Sequence, residues 1–360
     1  MKISVALTQA LHAIWQRKGL ISTLMLPLSW ISRAIITRKK QRYQNNAGLA
    51  YHSHLPVVVV GNIYVGGTGK TPVVIALVQA LQARGWHPGI ISRGYGATPG
   101  EQPRTGCGQL DPALFGDEPA LISRATQAPV AVHPKRALAL QQLQKAHPEV
   151  DVIVADDGLQ HLALGRDLEI VVQDGRGTGN GRVLPAGPLR EPASRLEDIN
   201  ILITNLQPGE PAPPSLNTGV RQVNMQLQPV RVEHLETGRS MDWPAWMACY
   251  KSQAISAVAA IGQPQRFFAM LQAAGLKLNQ TIALPDHDAY ASSPFTDLTD
   301  ALILITGKDA VKCQRFQDPR LWVVYAEPHF SDPDWLDYCH YQLLAIAEKK
   351  PAMAHTTSTH

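Results

Sequence analysis

The chain has 360 residues, 45% of them hydrophobic, enough for well-formed cores and for two domains. Its net charge of +4 is mildly basic, which suits an anionic small molecule or a membrane surface and is too weak to imply nucleic acid. The four cysteines (Cys107, Cys249, Cys313, Cys339) are scattered without a Cys-x-x-Cys pair, arguing against a zinc site or disulfide framework and for a reducing compartment.

Residues 1–45 differ from the rest. Leu7, Leu11, Ile14 and Trp15 recur at helical spacing, and a second apolar segment runs from Leu20 to Ile36. In it Leu20, Leu24, Leu28, Ile31 and Ile35 form one stripe, while Ser22, Ser29 and Arg33 lie on another face. Gln9 and His12 break the early apolar run, so a secretory signal is a poor reading. The segment is at the lower limit for a membrane span and contains Pro27 and Arg33. Arg17-Lys18 and Arg38-Lys39-Lys40 flank it on both sides, which favours an amphipathic hairpin lying in an anionic leaflet. A true span and a helix packed on the soluble core stay open as alternatives.

The organising stretch is Leu55–Pro72. A β-branched run, Val57 to Val60, precedes a glycine-rich turn and Gly69-Lys70-Thr71, the strand, loop and helix start of a phosphate-binding P-loop. Gly66, Gly67, Thr68 and Gly69 give a backbone that can close around phosphate oxygens, Lys70 reaches the β/γ-phosphates, and the Thr71 hydroxyl can ligate Mg²⁺. Pro72 fits the first helical turn, ahead of an apolar face of Val73, Val74, Leu77, Val78 and Leu81. Tyr64 stands where the usual first glycine would be. The resulting Gly-Gly-x-Gly-Lys-Thr loop is close to that of a class of ATPases with lysine before the double glycine, but here that position is Val65.

A second strand, His87 to Ser92, runs into Ser92-Arg93-Gly94-Tyr95-Gly96, a candidate binding loop at a strand's carboxyl end or a bland tight turn. Residues 97–115 read as a long mobile loop. Gly116-Asp117-Glu118-Pro119 opens a helix, with Asp117 placed as its cap. A short strand (129–132) and a helix (134–147) lead to the buried strand 150–155, which ends in Asp156 and Asp157. A strand-tip carboxylate is what an Mg²⁺-phosphate site uses, directly or through water, and the two aspartates need not share one job. After the strand 168–172, residues 174–192 concentrate glycine, proline and arginine (Arg176, Arg182, Arg190), suggesting a loop shaped for an anion or a solvated surface loop.

Residues 205–250 read as a linker that can include a β-ribbon. A smaller α/β domain begins near Ser252, with strands at 255–261, 281–284, 302–306 and 321–325, a helix at 266–274 and a closing helix at 334–349. His287, between Asp286 and Asp288, is either a histidine oriented by a carboxylate or a plain surface residue.

Several strings together carry a family resemblance: Val-Gly-Asn…Gly-Gly-Thr-Gly-Lys-Thr-Pro, Ser92-Arg-Gly-Tyr-Gly96, Gly116-Asp-Glu-Pro119, Asp156-Asp-Gly-Leu-Gln-His161, and Gly179-Asn-Gly with Leu184-Pro-Ala-Gly-Pro-Leu-Arg-Glu191. Nearly the whole chain resembles tetraacyldisaccharide 4′-kinase, the lipid A biosynthetic kinase of Gram-negative bacteria. The resemblance implies an ATP- and Mg²⁺-dependent kinase acting on the 4′-hydroxyl of tetraacyldisaccharide 1-phosphate, at the cytoplasmic face of the inner membrane; a monomer with no nucleic-acid partner is the accompanying expectation. It implies a carboxylate–histidine base, carried here onto Asp117 and His287 with Asp156 in support, and Mg²⁺ held by Thr71 and Asp157. Arg93, Asn180 and Arg190 are the expected substrate-binding residues. One departure is Thr306-Gly307-Lys308-Asp309, where the family usually has Thr-Glu-Lys-Asp.

The expected fold class is therefore α/β: a P-loop NTPase-like, mostly parallel sheet domain at 46–215 behind membrane-associating helices at 1–45, a linker at 216–251, a smaller α/β domain at 252–350 and a disordered tail at 351–360. From a different class, a membrane-associated P-loop ATPase switch competes on the glycine pattern, with Val65 against it. A non-enzymatic scaffold is disfavoured by the paired aspartates.

Overall fold

The structure is a computed structural model and describes residues 14–350 except 98–99, 217 and 286–287. His287, the first residues of the N-terminal helical pattern and the 351–360 tail lie outside the described residues. The chain divides into two compact units, one within 14–204, 213–223 and 331–350, the other within 205–212 and 224–330.

In the P-loop unit, five short, mostly apolar strands pair in parallel. Strands β1 (Val57–Gly61), β2 (Pro88–Ser92), β4 (Val130–Val132), β5 (Val152–Asp156) and β6 (Leu168–Asp174) are parallel neighbours in the order β6-β1-β5-β2-β4. β3 (Arg104–Gly106) adds antiparallel to β4, and β7 (Ile201–Asn205) lies beyond β6. Val57 to Val60 are fully buried, as a strand covered on both faces requires. Residues 97–115, expected as one long loop, instead contain β3 and a short helix, α4 (Pro112–Phe115). Asp111 caps that helix by accepting from the Ala113 N–H at 2.9 Å, and Phe115 is buried. The strand escapes a sequence reading because three residues carry no readable alternation.

Besides α4, the helices of this unit include α1 (Leu20–Leu24), α2 (Leu26–Asn45), α3 (Lys70–Ala83), α5 (Asp117–Thr126), α6 (Arg136–Ala146) and α10 (Trp335–Lys349). Helix α3 buries Val73, Val74, Leu77, Val78 and Leu81, the stripe its spacing announces. Helices α1 and α2 do the reverse of an ordinary surface helix. Ser22 and Ser29 are buried, donating to the Ala186 carbonyl at 2.5 Å and the Val183 carbonyl at 2.8 Å, while Leu20, Leu24, Leu28, Trp30, Ile31 and Ile35 are exposed. No described helix is long and apolar enough to cross a membrane.

The closing helix α10, read from sequence as part of the smaller domain, belongs to this unit. Arg84 donates to Asp337 at 2.9 Å, Trp86 to His340 at 2.9 Å, and Lys350 reaches the Ser53 and Leu55 carbonyls and Asp167.

The second unit is built on parallel strands β11 (Gln280–Ala283), β10 (Ile255–Ala259), β12 (Leu302–Thr306) and β13 (Leu321–Phe330), in that order. Antiparallel to β13 runs the 14-residue β8 (Arg221–His234), which pairs in turn with β9 (Ser240–Asp242). The segment read as a linker thus supplies a long strand, and β8 with β9 forms the ribbon. Helices α7 (Trp243–Tyr250), α8 (Pro264–Ala273) and α9 (Gly307–Cys313) complete the unit. Gly307 begins α9, and a Cβ there would meet only the Tyr325 ring, at 3.8 Å, so a larger residue is sterically admissible at this position.

Candidate active site

Register brings the chemistry to one edge. Val60 lies opposite Asp156, Gly61 opposite Val171 and Ile91 opposite Ala155, so Ser92, Asp156, the P-loop and Asp174 all leave the carboxyl ends of adjacent parallel strands. That edge is where open α/β sheets collect ligands.

Gly66 and Gly69 have φ of 99° and 87°, conformations only glycine adopts cheaply, and Gly69 caps α3. A Cβ at Gly66 or Gly67 would meet nothing within 4 Å, so the loop's outer face is open to a ligand. The unpaired N–H groups of the first turn of α3 and its dipole favour an anion there. Asn62 braces the loop from inside, its Nδ2 donating to the Gly66 carbonyl at 3.0 Å and the Thr68 hydroxyl at 3.3 Å. Tyr64 is buried and has no positive φ, which is why the missing first glycine is tolerated. Its ring lies 4.2 Å below the Arg176 guanidinium, which also donates to Asp174 and to the Gly67 carbonyl.

Lys70 sits 3.3 Å from an Asp157 oxygen, and Arg190 sits 3.5 Å from the other. Burial raises the Asp157 pKa, but Lys70 and Arg190 outweigh it and the carboxyl ends below the ordinary range. Asp156, one residue earlier, goes the other way. It is 1% exposed, so burial raises its pKa, and Glu118 adds to the rise. One oxygen accepts from the Ser92 hydroxyl at 3.1 Å, and the other has no hydrogen-bond partner among the described residues. Thr71 is buried in the first turn of α3, next in sequence to the Lys70 that meets Asp157. A hydroxyl, an ionised carboxylate and an orphaned carboxylate oxygen are the hard donors that Mg²⁺ takes, so the residues present fit that ion.

Asp117 is not the cap of α5. Gly116 holds that place at φ 93°, and Asp117 is the first helical residue, where its charge complements the dipole. A Cβ on Gly116 would come 2.6 Å from the Tyr95 carbonyl, so the Asp117 turn and the Arg93–Gly96 loop touch. Arg93 and Tyr95 are exposed and line a groove with Gln102, Arg104, His133 and Pro134. Asn180 is 5% exposed. Its Nδ2 donates to the Ser22 hydroxyl at 2.9 Å and the Ala186 carbonyl at 3.0 Å, fastening the 180–190 loop to α1.

The fold thus gathers Gly66 to Thr71, Asp156, Asp157 and Arg190 at one place, with Arg93 and Asp117 on touching loops. Sequence reading missed Glu118, Arg136 and the polar network behind the site. In that network Gln160 Nε2 bridges the Asn62 carbonyl (2.9 Å) and Glu191 (2.7 Å), and Glu191 meets Arg195, which pairs with Glu169. Its signal is the density of polar residues in 160–195, among them the buried Gln173, Asp174, Asn180, Glu191 and Arg195.

Known proteins resemble this chain. The family described as tetraacyldisaccharide-1-P 4′-kinase matches residues 21–342. A Bordetella petrii protein named tetraacyldisaccharide 4′-kinase is 53% identical over 329 residues, 90% of this chain and 93% of its own. One of the same name from Pasteurella multocida is 41% identical over 315 residues, 87% and 92% of the two chains. The crystal structure of the Aquifex aeolicus member LpxK, an "apo" form in complex with ATP, superposes with a TM-score of 0.73 at 25% identity, covering 90% of this chain and 99% of that one. The chain belongs to the tetraacyldisaccharide 4′-kinase family.

Proposed function

We propose that the protein transfers the γ-phosphoryl group of ATP to the 4′-hydroxyl of tetraacyldisaccharide 1-phosphate at the P-loop edge of its first unit. The observation that carries this reading is the opposed pair of aspartates, one ionised between Lys70 and Arg190 and one buried with an unpartnered oxygen, beside an open glycine loop. A hydroxyl is a poor nucleophile, so the protein has to align it, neutralise the phosphates and receive its proton. In this reading the amides of Gly66 to Thr71 and Lys70 bind the phosphates, with Lys70 leaving Asp157 as they arrive. Thr71 and Asp157 would hold Mg²⁺, which would neutralise charge on the transferring group. Arg93 and Arg190 orient the anionic lipid, and Asn180 keeps the Arg190 loop in shape. Asp117 with His287 is the assigned proton acceptor, resting for His287 on the sequence resemblance alone.

The apolar stripe on α1 and α2, with Arg33, Arg38, Lys39 and Arg42 exposed beside it, suits monotopic attachment to an anionic leaflet from which the acyl chains need not be extracted. The test is transfer of labelled γ-phosphate from ATP-Mg²⁺ by the detergent-solubilised protein, with and without the tetraacyl disaccharide. Label in the lipid is the expected result. Label released only as inorganic phosphate and indifferent to lipid returns the ATPase switch. Asp157→Ala should lower transfer about a hundredfold or more while the fold is kept, as loss of a charge-stabilising group does.

A further inference from the structure

We infer that Arg136 is a positioning residue for the phosphate site, a buried guanidinium that clamps the Asp157 turn in the shape presenting its carboxylate to Lys70. The inference rests on the kinase reading only for its effect on turnover. Arg136 is the first residue of α6, where a helix dipole disfavours a cation, and the first turn of α6 has no acidic residue to offset it. Its side chain is nonetheless 3% exposed. A buried charge is expensive unless its hydrogen bonds are organised, so such a placement needs a reason.

The contacts supply one. Nη2 donates to the Asp157 carbonyl at 3.3 Å, Nη1 donates to the His133 and Pro134 carbonyls at 3.4 Å each, and Nε has no partner among the described residues. The backbone N–H of Arg136 donates to His161 Nε2 at 3.3 Å. One residue therefore holds both ends of the turn from Asp157 to His161, which is closed by the His161 N–H on the Gly158 carbonyl at 2.9 Å. That turn needs holding. Asp157 has φ 49°, a left-handed conformation that a non-glycine residue adopts at a cost of about 1 kcal/mol or more. Its carbonyl, aimed by that twist, is what Arg136 grips, and its carboxylate meets Lys70 and Arg190 on the other side. Arg136 also brings positive charge to Asp156 and Asp157, with Arg93 the nearby cation that opposes it. The fork matters as well as the charge, since two separate terminal nitrogens serve the Asp157 carbonyl and the His133 and Pro134 carbonyls, where lysine has a single ammonium.

The test compares Arg136→Lys, Arg136→Met and Arg136→Gly with the parent, each well below its own melting midpoint. Hydrogen exchange read by mass spectrometry should speed up in peptides covering 157–161 in all three variants, with peptides from β1, β5 and α3 unchanged. Phosphoryl transfer should fall about thirtyfold to a hundredfold through kcat, with the KM for ATP within about threefold. Tens of millimolar guanidinium, and not ammonium, should restore both protection and turnover to Arg136→Gly. Unchanged exchange at 157–161, or faster exchange spread through the whole unit without guanidinium rescue, would overturn the clamp. A parent protein inert towards the lipid would sink the kinase reading instead, and the exchange measurement would still decide the clamp.

Discussion

His161 is hemmed in by burial and by Arg136 and Arg166, which push its pKa down to about 4 from the usual 6.5. The unfolded chain takes up this proton near pH 6.5 and the folded one only near 4, so stability is fully present above pH 6.5 and declines as pH falls between those values. The ring is partly exposed, so solvent screening keeps the loss to about 1 to 2 kcal/mol. His161→Gln should flatten the urea-unfolding free energy across that window, and a slope equal to the parent's would remove His161 as its source. At Gly116, a methyl would meet the Tyr95 carbonyl at 2.6 Å and sit at φ 93°. Gly116→Ala should therefore cost about 2 to 4 kcal/mol and slacken the Asp117 turn, measured by thermal unfolding and turnover together. The loop Gly66 to Thr71 and the Asp156-Asp157 pair were legible in the sequence because their chemistry is local, a strand end and a few consecutive residues. Arg136 was not, since an arginine after Pro134-Lys135 reads as a solvated helix start until burial is known. The split between the two aspartates was equally hidden, because it depends on Glu118 and Arg190, which come from distant parts of the chain.

Helices α1 and α2 turn the usual burial rule over. Spacing in the sequence identified the leucine stripe and the serine face, and the ordinary expectation would set the stripe against the protein. Here the serines face inward, because the 180–190 loop offers them carbonyls, and the stripe faces out. Replacing Leu24, Leu28 and Ile31 together by Gln should reduce co-sedimentation with anionic vesicles at least tenfold and leave the melting midpoint within about 2 °C, since those side chains are mostly exposed and none belongs to the buried core. Ser29→Ala should instead cost about 1 kcal/mol of stability, because it removes the serine hydroxyl from the buried Val183 carbonyl and leaves that oxygen only the Gly187 N–H at 3.2 Å. A vesicle affinity untouched by the triple change would mean that the stripe is not the attachment surface.

Over the whole molecule, the chain leaves the P-loop unit, builds the second unit and returns to finish the first with α10. Strand and helix types in both halves were readable from their periods, but that return was not, since nothing local in 334–349 says which sheet it serves. Its ties are Trp335, Cys339 and Leu343, all fully buried, with Arg84 on Asp337 and Lys350 on Asp167. Ending the chain at Phe330 should lower the melting midpoint of the nucleotide-binding unit by about 10 °C or more, followed by the loss of ATP-dependent protection. A truncated chain melting with the parent would assign α10 no part in that unit. The serine face has a consequence in time as well as in space. The Ser22 hydroxyl and the Ala186 carbonyl that receives it are 164 positions apart, a gap that takes a ribosome about 10 to 30 s to cover. Throughout that interval the nascent helix carries its leucines outward with no loop on which to lay its serines, so an apolar surface near the ribosome is the first partner it can meet.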